Sequence, residues 1–198
     1  VYPQFMSIKE QDEMYQKIAK DTSWYRVKYL SQRFGNQCTT PCWTQFYGGI
    51  KGIKPYQEIP DIYLNMMKNI QNIHPSCHID FNAVLVRLYY DGNDNIAWHT
   101  DGRTFLGPEP VIASMSLGSS AIFKLRHMTD VWPCAGTPNG GVSINIPQKT
   151  LRLDGGSLLV MKGKTQQKWH HMVPKEVAGS SSNSNSNSNS NSNSNSNS

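Results

Sequence analysis

The chain has 198 residues, 37% hydrophobic and 17% charged, enough for one packed core once Ser180 to Ser198 is set aside, since that stretch is Ser and Asn alone and has nothing apolar to bury. Lys and Arg outnumber Asp and Glu by 19 to 14, a net charge of +5 that suits a polyanionic partner without requiring one. No apolar run approaches the ~18 residues of a membrane-spanning helix, no signal peptide is recognisable, and the four cysteines lack a disulfide-framework spacing, so the expectation is an intracellular protein, nuclear or cytoplasmic, with no membrane contact.

In chain order, Ile8 to Trp24 reads as a first helix, with Ser7 as its cap and Glu10 completing a capping box. Cys38 and Cys42 are half of a zinc pattern, but their only complement is Cys77-His78, and free thiols are the preferred reading. A second helix starts near Pro60, where Ile59, Tyr63, Met66, Ile70 and Ile73 recur at helical spacing and form a packing stripe. After Pro75 the pattern turns to strands: Phe81 to Tyr90, a turn over Asp91 to Asp94, Ile96 to Thr100, Val111 to Leu117, Ile122 to Arg126, Val142 to Ile146, Ser157 to Met161 and Lys168 to Val173. His127 to Gly141, rich in Pro and Gly, reads as a long loop. Two helices ahead of many short strands predict an α+β domain over residues 1–179 with a sandwich or barrel core of the jelly-roll kind, and a disordered tail over 180–198.

His99 and Asp101 are two residues apart, and on a strand such residues point to one face. Two ligands at that spacing plus a distant histidine make the facial triad of non-haem Fe(II) oxygenases, though the pair alone is a weak pattern. His170 and His171 both stand on a later strand. Alternation allows only one of them inward, and it does not say which. His74, His78 and His127 read as surface or loop residues.

Several ordered blocks extend the pattern: PCWTQFYG (Pro41 to Gly48), FNAVLVRLYYDGNDNIAWHTD (Phe81 to Asp101), PVIASMSLGSSAIFKLRH (Pro110 to His127), GGSLLVMKG (Gly155 to Gly163) and WHHMVPK (Trp169 to Lys175), with YPQF near the start. Together they resemble the nucleic-acid-dealkylating branch of the AlkB family of Fe(II)- and 2-oxoglutarate-dependent dioxygenases. The resemblance implies a double-stranded β-helix (jelly roll) with N-terminal helices and a nucleotide-recognition lid. Its W-x-H-x-V-P register selects His171, so Fe(II) is implied at His99, Asp101 and His171. It further implies oxidative demethylation of N-alkylated bases in DNA or RNA by a monomer. 2-Oxoglutarate and O2 are consumed, and succinate, CO2 and formaldehyde are released.

Tyr89 matches the tyrosine that helps hold 2-oxoglutarate, while Arg87 stands where the family usually has Asn. Arg87 shares Tyr89's strand face and is a candidate carboxylate contact. Tyr47 matches the substrate-lid tyrosine, with Trp43 and Phe46 as further stacking candidates against a flipped base. Cys42 replaces an arginine of the family pattern, and Lys51, Lys54, Lys164 and Lys168 are possible substitutes for its charge. Gly102 and Arg103 replace acids that face a cationic methylated base. That weakens the preference for such lesions and leaves Arg103 as a candidate phosphate contact. The family's closing R-x-N-x-T-x-R strand is not found before Ser198, so the chain is expected to be a fragment that binds 2-oxoglutarate poorly as it stands. The competing readings are a catalytically impaired nucleic-acid-binding relative and a related oxygenase acting on protein.

Overall fold

The computed structural model of the chain describes residues 1–30, 35–49, 56–73, 80–102, 106–128 and 146–176. Helix α1 (Ile8–Asp21) begins with the capping box expected from sequence. The Ser7 hydroxyl accepts from the Glu10 amide at 3.3 Å, and the Glu10 carboxylate accepts from the Ser7 amide at 3.0 Å. The helix stops at Asp21, short of the expected Trp24. Thr22 is extended, and the Trp24 indole N–H folds back to donate to the Ala19 carbonyl at 3.1 Å, filling a last-turn acceptor.

Among the described residues, ten strands and two further helices follow. They are β1 (Lys28–Leu30), β2 (Gln37–Thr39), β3 (Trp43–Gly48), α2 (Asp61–Gln71), β4 (Ala83–Leu88), β5 (Ile96–His99), β6 (Ile112–Met115), β7 (Ala121–His127), β8 (Gln148–Leu153), β9 (Leu158–Met161), the single turn α3 (Thr165–Lys168) and β10 (Trp169–Val173). Pro60 precedes α2 as its cap instead of occupying its first turn, and the helix buries Tyr63 and Ile70 of the expected stripe. All pairings among the described residues are antiparallel, and the fold is α+β: β1 with β2, β3 with β4, β6 with β9, and a four-stranded sheet in the order β5-β10-β7-β8.

Strands β1, β2, β3 and β8 were not expected as strands. β8 escaped because QKTLRL exposes Gln148, Lys149, Thr150 and Arg152 and turns only its leucines inward. The strand expected over Val142 to Ile146 lies outside the described residues except for Ile146, which is in no strand. Most of the expected loop from His127 to Gly141, the pair Cys77-His78, Lys51, Lys54, Arg103 and the Ser/Asn tail also lie outside them.

The core is a cluster of Phe123, Leu153, Leu159 and Met161, with Ile112, Leu125, Leu151 and Val173 packed against it. These residues come from β6 and β9 on one side and β7, β8 and β10 on the other, so the four-stranded sheet and the β6–β9 pair share one apolar filling. The start of the chain is laid against this body: Tyr2 bridges to Leu158, and the Met6 amide donates to the Gly156 carbonyl at 3.0 Å. Gly156 has φ of +81°, and a Cβ there would sit 2.6 Å from the Met6 carbonyl oxygen, so only glycine fits that approach.

The turn that feeds β5 is equally tied down. The Asn93 amide donates to the Asp91 carboxylate at 2.8 Å. The buried Asp94 carboxylate accepts from the Tyr90 amide at 2.8 Å and from the Arg26 guanidinium at 3.0 Å. Among the described residues no helix is long and apolar enough to cross a membrane.

Candidate metal centre

Strands β5 and β10 lie side by side, and their register sets His171 directly opposite His99. Directly opposed residues share a face, and the two imidazole centroids are 4.2 Å apart. Of His170 and His171, the buried member, opposite His99, is His171. Phe123 stacks on His171 with a centroid distance of 5.4 Å, so the apolar core forms the floor of the site.

Asp101 completes the cluster from a position that sequence spacing describes only in part. β5 ends at His99, so Asp101 stands just beyond the strand and is not aligned by its ladder. Its Oδ1 is 3.8 Å from His99 Nε2 and its Oδ2 is 3.5 Å from His171 Nε2. Among the described residues, His99, Asp101 and His171 offer ligand atoms that all lie within 4.8 Å of one another.

The donor set fits a divalent iron ion. His99 Nδ1 is 2.8 Å from the Ala97 carbonyl, a contact that calls for a proton on Nδ1 and turns Nε2 toward the cluster. Burial, reinforced by the neighbouring His99 and opposed by Asp101, pushes the His171 imidazole down to about 4, so it is neutral near pH 7, as a metal ligand must be. Two neutral imidazoles and one carboxylate on one side of an ion leave coordination positions free for exchangeable partners, the arrangement of non-haem Fe(II) oxygenases.

A sequence model of the 2OG-Fe(II) oxygenase superfamily matches residues 1–194. The chain belongs to that superfamily. It is 29% identical to "Alpha-ketoglutarate-dependent dioxygenase alkB homolog 3" of Homo sapiens over 89% of this chain and 60% of that protein. It is 28% identical to "DNA oxidative demethylase ALKBH2" of Homo sapiens over 83% of this chain and 62% of that protein, and 40% identical to the Arabidopsis thaliana protein of that name over 48% and 33%. The chain thus spans about six-tenths of the length of the human relatives it matches. Among solved structures, OsALKBH1 superposes with a TM-score of 0.48 at 16% identity, covering 88% of this chain and 83% of that one. The superfamily's metal is Fe(II) and its co-substrate 2-oxoglutarate, in agreement with the donor set found here.

The other candidate residues of this superfamily member divide between the two faces of the β3–β4 ribbon. Thr44 pairs with Arg87 and Phe46 with Leu85, so these four share one face, while Trp43, Gln45 and Tyr47 lie on the other. Arg87 is close enough to the triad for its charge to depress His171 further. Arg87 also bonds the Tyr89 hydroxyl, which burial holds above its ordinary value. Phe46 is exposed. On the opposite face, Tyr47 packs against Tyr63 of α2 with a centroid distance of 5.3 Å, and Trp43 lies under the Arg26 guanidinium at 4.8 Å. Trp43 and Tyr89 also line a cavity of about 490 Å³ with Tyr15, Trp24, Leu88 and Tyr90. Lys164 and Lys168 are exposed at α3. Cys38 and Cys42 are free and stand apart from the metal cluster.

One residue of the site had no signal in the sequence. Gln166 of α3 is buried, and both ends of its side-chain amide contact Asp101. Its only sequence mark is its place five positions before His171.

Proposed function

We propose that this chain carries the catalytic domain, over residues 1–179, of a dioxygenase that removes N-alkyl groups from bases in DNA or RNA. An N-methyl carbon is oxidised by one oxygen atom and leaves as formaldehyde. The other oxygen atom enters 2-oxoglutarate, which is released as succinate and CO2. The observation that carries this reading is the convergence of His99 of β5, His171 of β10 and Asp101 just beyond β5 in a member of this superfamily. The names of its relatives, which describe dioxygenases and DNA demethylases, supply the substrate class. The basic balance of the chain accords with a phosphate-bearing partner.

We infer a jelly-roll core from how successive strands are dealt between sheets. β5 enters the four-stranded sheet, β6 the pair with β9, β7 and β8 return to the first sheet, β9 goes to the second and β10 to the first. Such alternation encloses an interior into which ligands from β5 and β10 point.

In this reading His99, Asp101 and His171 hold Fe(II), which with bound 2-oxoglutarate and O2 supplies the oxidation. Arg87 donates charge-assisted hydrogen bonds to a 2-oxoglutarate carboxylate, with the Tyr89 hydroxyl beside it. Phe46 presents a stacking surface on Arg87's side of the ribbon. Tyr47 and Trp43 shape the lid from the helical side, and Arg103 contacts a backbone phosphate. The protein acts as a monomer in the nucleus or cytoplasm.

The test is formaldehyde release from an N-methylated oligonucleotide supplied with Fe(II) and 2-oxoglutarate. Release that depends on the methylated base and disappears in Asp101→Ala supports the assignment. Oligonucleotide binding without any turnover contradicts it in favour of a binding module.

A further inference from the structure

We propose that Gln166 is a positioning residue that holds the backbone and the carboxylate of Asp101 in place for metal ligation. This inference rests on the metal reading above and adds a residue to it. Asp101 lies past the last residue of β5, where no ladder hydrogen bond orients it. In place of the ladder, the Gln166 Oε1 accepts from the Asp101 backbone amide at 2.9 Å, and the Gln166 Nε2 donates to Asp101 Oδ2 at 3.0 Å. One amide therefore fixes both the backbone and the carboxylate of a residue 65 positions away. Its orientation is dictated by its partners, because the backbone N–H needs the oxygen and the carboxylate needs the N–H. Gln166 is 1% exposed, so its own amide is shielded from water.

The grip has a consequence for ligation. Oδ2, 3.5 Å from His171 Nε2, gives one lone pair to the Gln166 donor and keeps another, while Oδ1 lies on the His99 side, 3.8 Å from Nε2. An amide is the suitable donor for this purpose. A lysine would bring a cation that competes with the metal, and a glutamate would bring a second anion against the first. The placement also couples the ligands, since α3 runs directly into β10, which carries His171. The adjacent Gln167 donates to the Pro108 carbonyl at 2.8 Å, so two consecutive glutamines hold the segment that follows β5 at two points.

The experiment uses Gln166→Met and Gln166→Leu in the full chain, two variants that keep the side chain's bulk and remove its hydrogen bonds, with Co(II) as the probe metal. Folding is read by thermal melting, affinity by titration, and ligand geometry by the visible absorption of bound Co(II). The expected result is a folded variant that binds Co(II) about 10- to 100-fold more weakly, the usual cost of losing a partner that orients a ligand, with displaced absorption bands. A folded variant with the parent's affinity and bands overturns the proposal. So does loss of the fold in both variants, which would assign the two bonds to structure alone. Absence of Co(II) binding in the parent chain overturns the metal reading itself and this proposal with it, and is thereby told apart from a failure confined to Gln166.

Discussion

His170 and His171 are neighbours in sequence with opposite fates. His171 is turned into the sheet interior against Phe123 and His99, whereas His170 is on the other side of β10. His171→Ala should abolish Fe(II) binding at concentrations that saturate the parent, and His170→Ala should leave it near normal, as read by equilibrium titration. The reverse order would refute the register of β10. Arg87 is a second residue whose role is open to direct measurement. Hydrogen bonds to a charged group are worth about 1.5–3 kcal/mol, so Arg87→Ala should raise the KM for 2-oxoglutarate by about 10- to 100-fold. An unchanged KM would confine Arg87 to supporting Tyr89. At this scale the candidate ligands were legible, because imidazole and carboxylate at i and i+2 carry a geometric meaning and the W-x-H-x-V-P register pointed to one of two histidines. The sequence was silent about Gln166, because a buried amide that serves one carboxylate leaves no periodicity or motif behind.

Among the elements, α1 was readable to its first residue because a capping box is a local interaction, complete within four positions. Its hydrogen bonds lower the Glu10 carboxyl below its ordinary value, so the ionised box stabilises the fold above that value and its contribution fades as pH falls through the lowered one. Ser7→Ala should lower Tm by about 2–4 °C at neutral pH, with a smaller loss in acid. An equal loss at both pH values would mean that the Glu10 half of the box is idle. The longer strands were most legible where their sequence is a run of apolar and β-branched residues. β4, β7 and β9 are of this kind, while β8 presents a polar face to solvent and was missed. The division of Trp43 and Tyr47 from Phe46 and Arg87 depends on which residue of β4 each one faces, a cross-strand register that lies beyond local sequence.

At the scale of the molecule, the arrangement separates three duties. The shared core of the four-stranded sheet and the β6–β9 pair supplies rigidity, and Phe123 carries that rigidity to His171. The β5–β10 pairing brings the two histidines together, and α3 brings Asp101 into line with them. The β3–β4 ribbon sets Arg87 beside the triad on one face and aromatic residues against the helices on the other. The central claim, that this assembly couples 2-oxoglutarate oxidation to removal of an N-alkyl group from a nucleic-acid base, is tested most directly by measuring succinate and formaldehyde together. With Fe(II), 2-oxoglutarate and an N-methylated oligonucleotide, the two products should accumulate in equal amounts, and both should fall to background in His99→Ala. Succinate formed without formaldehyde across methylated DNA and RNA substrates would contradict the account.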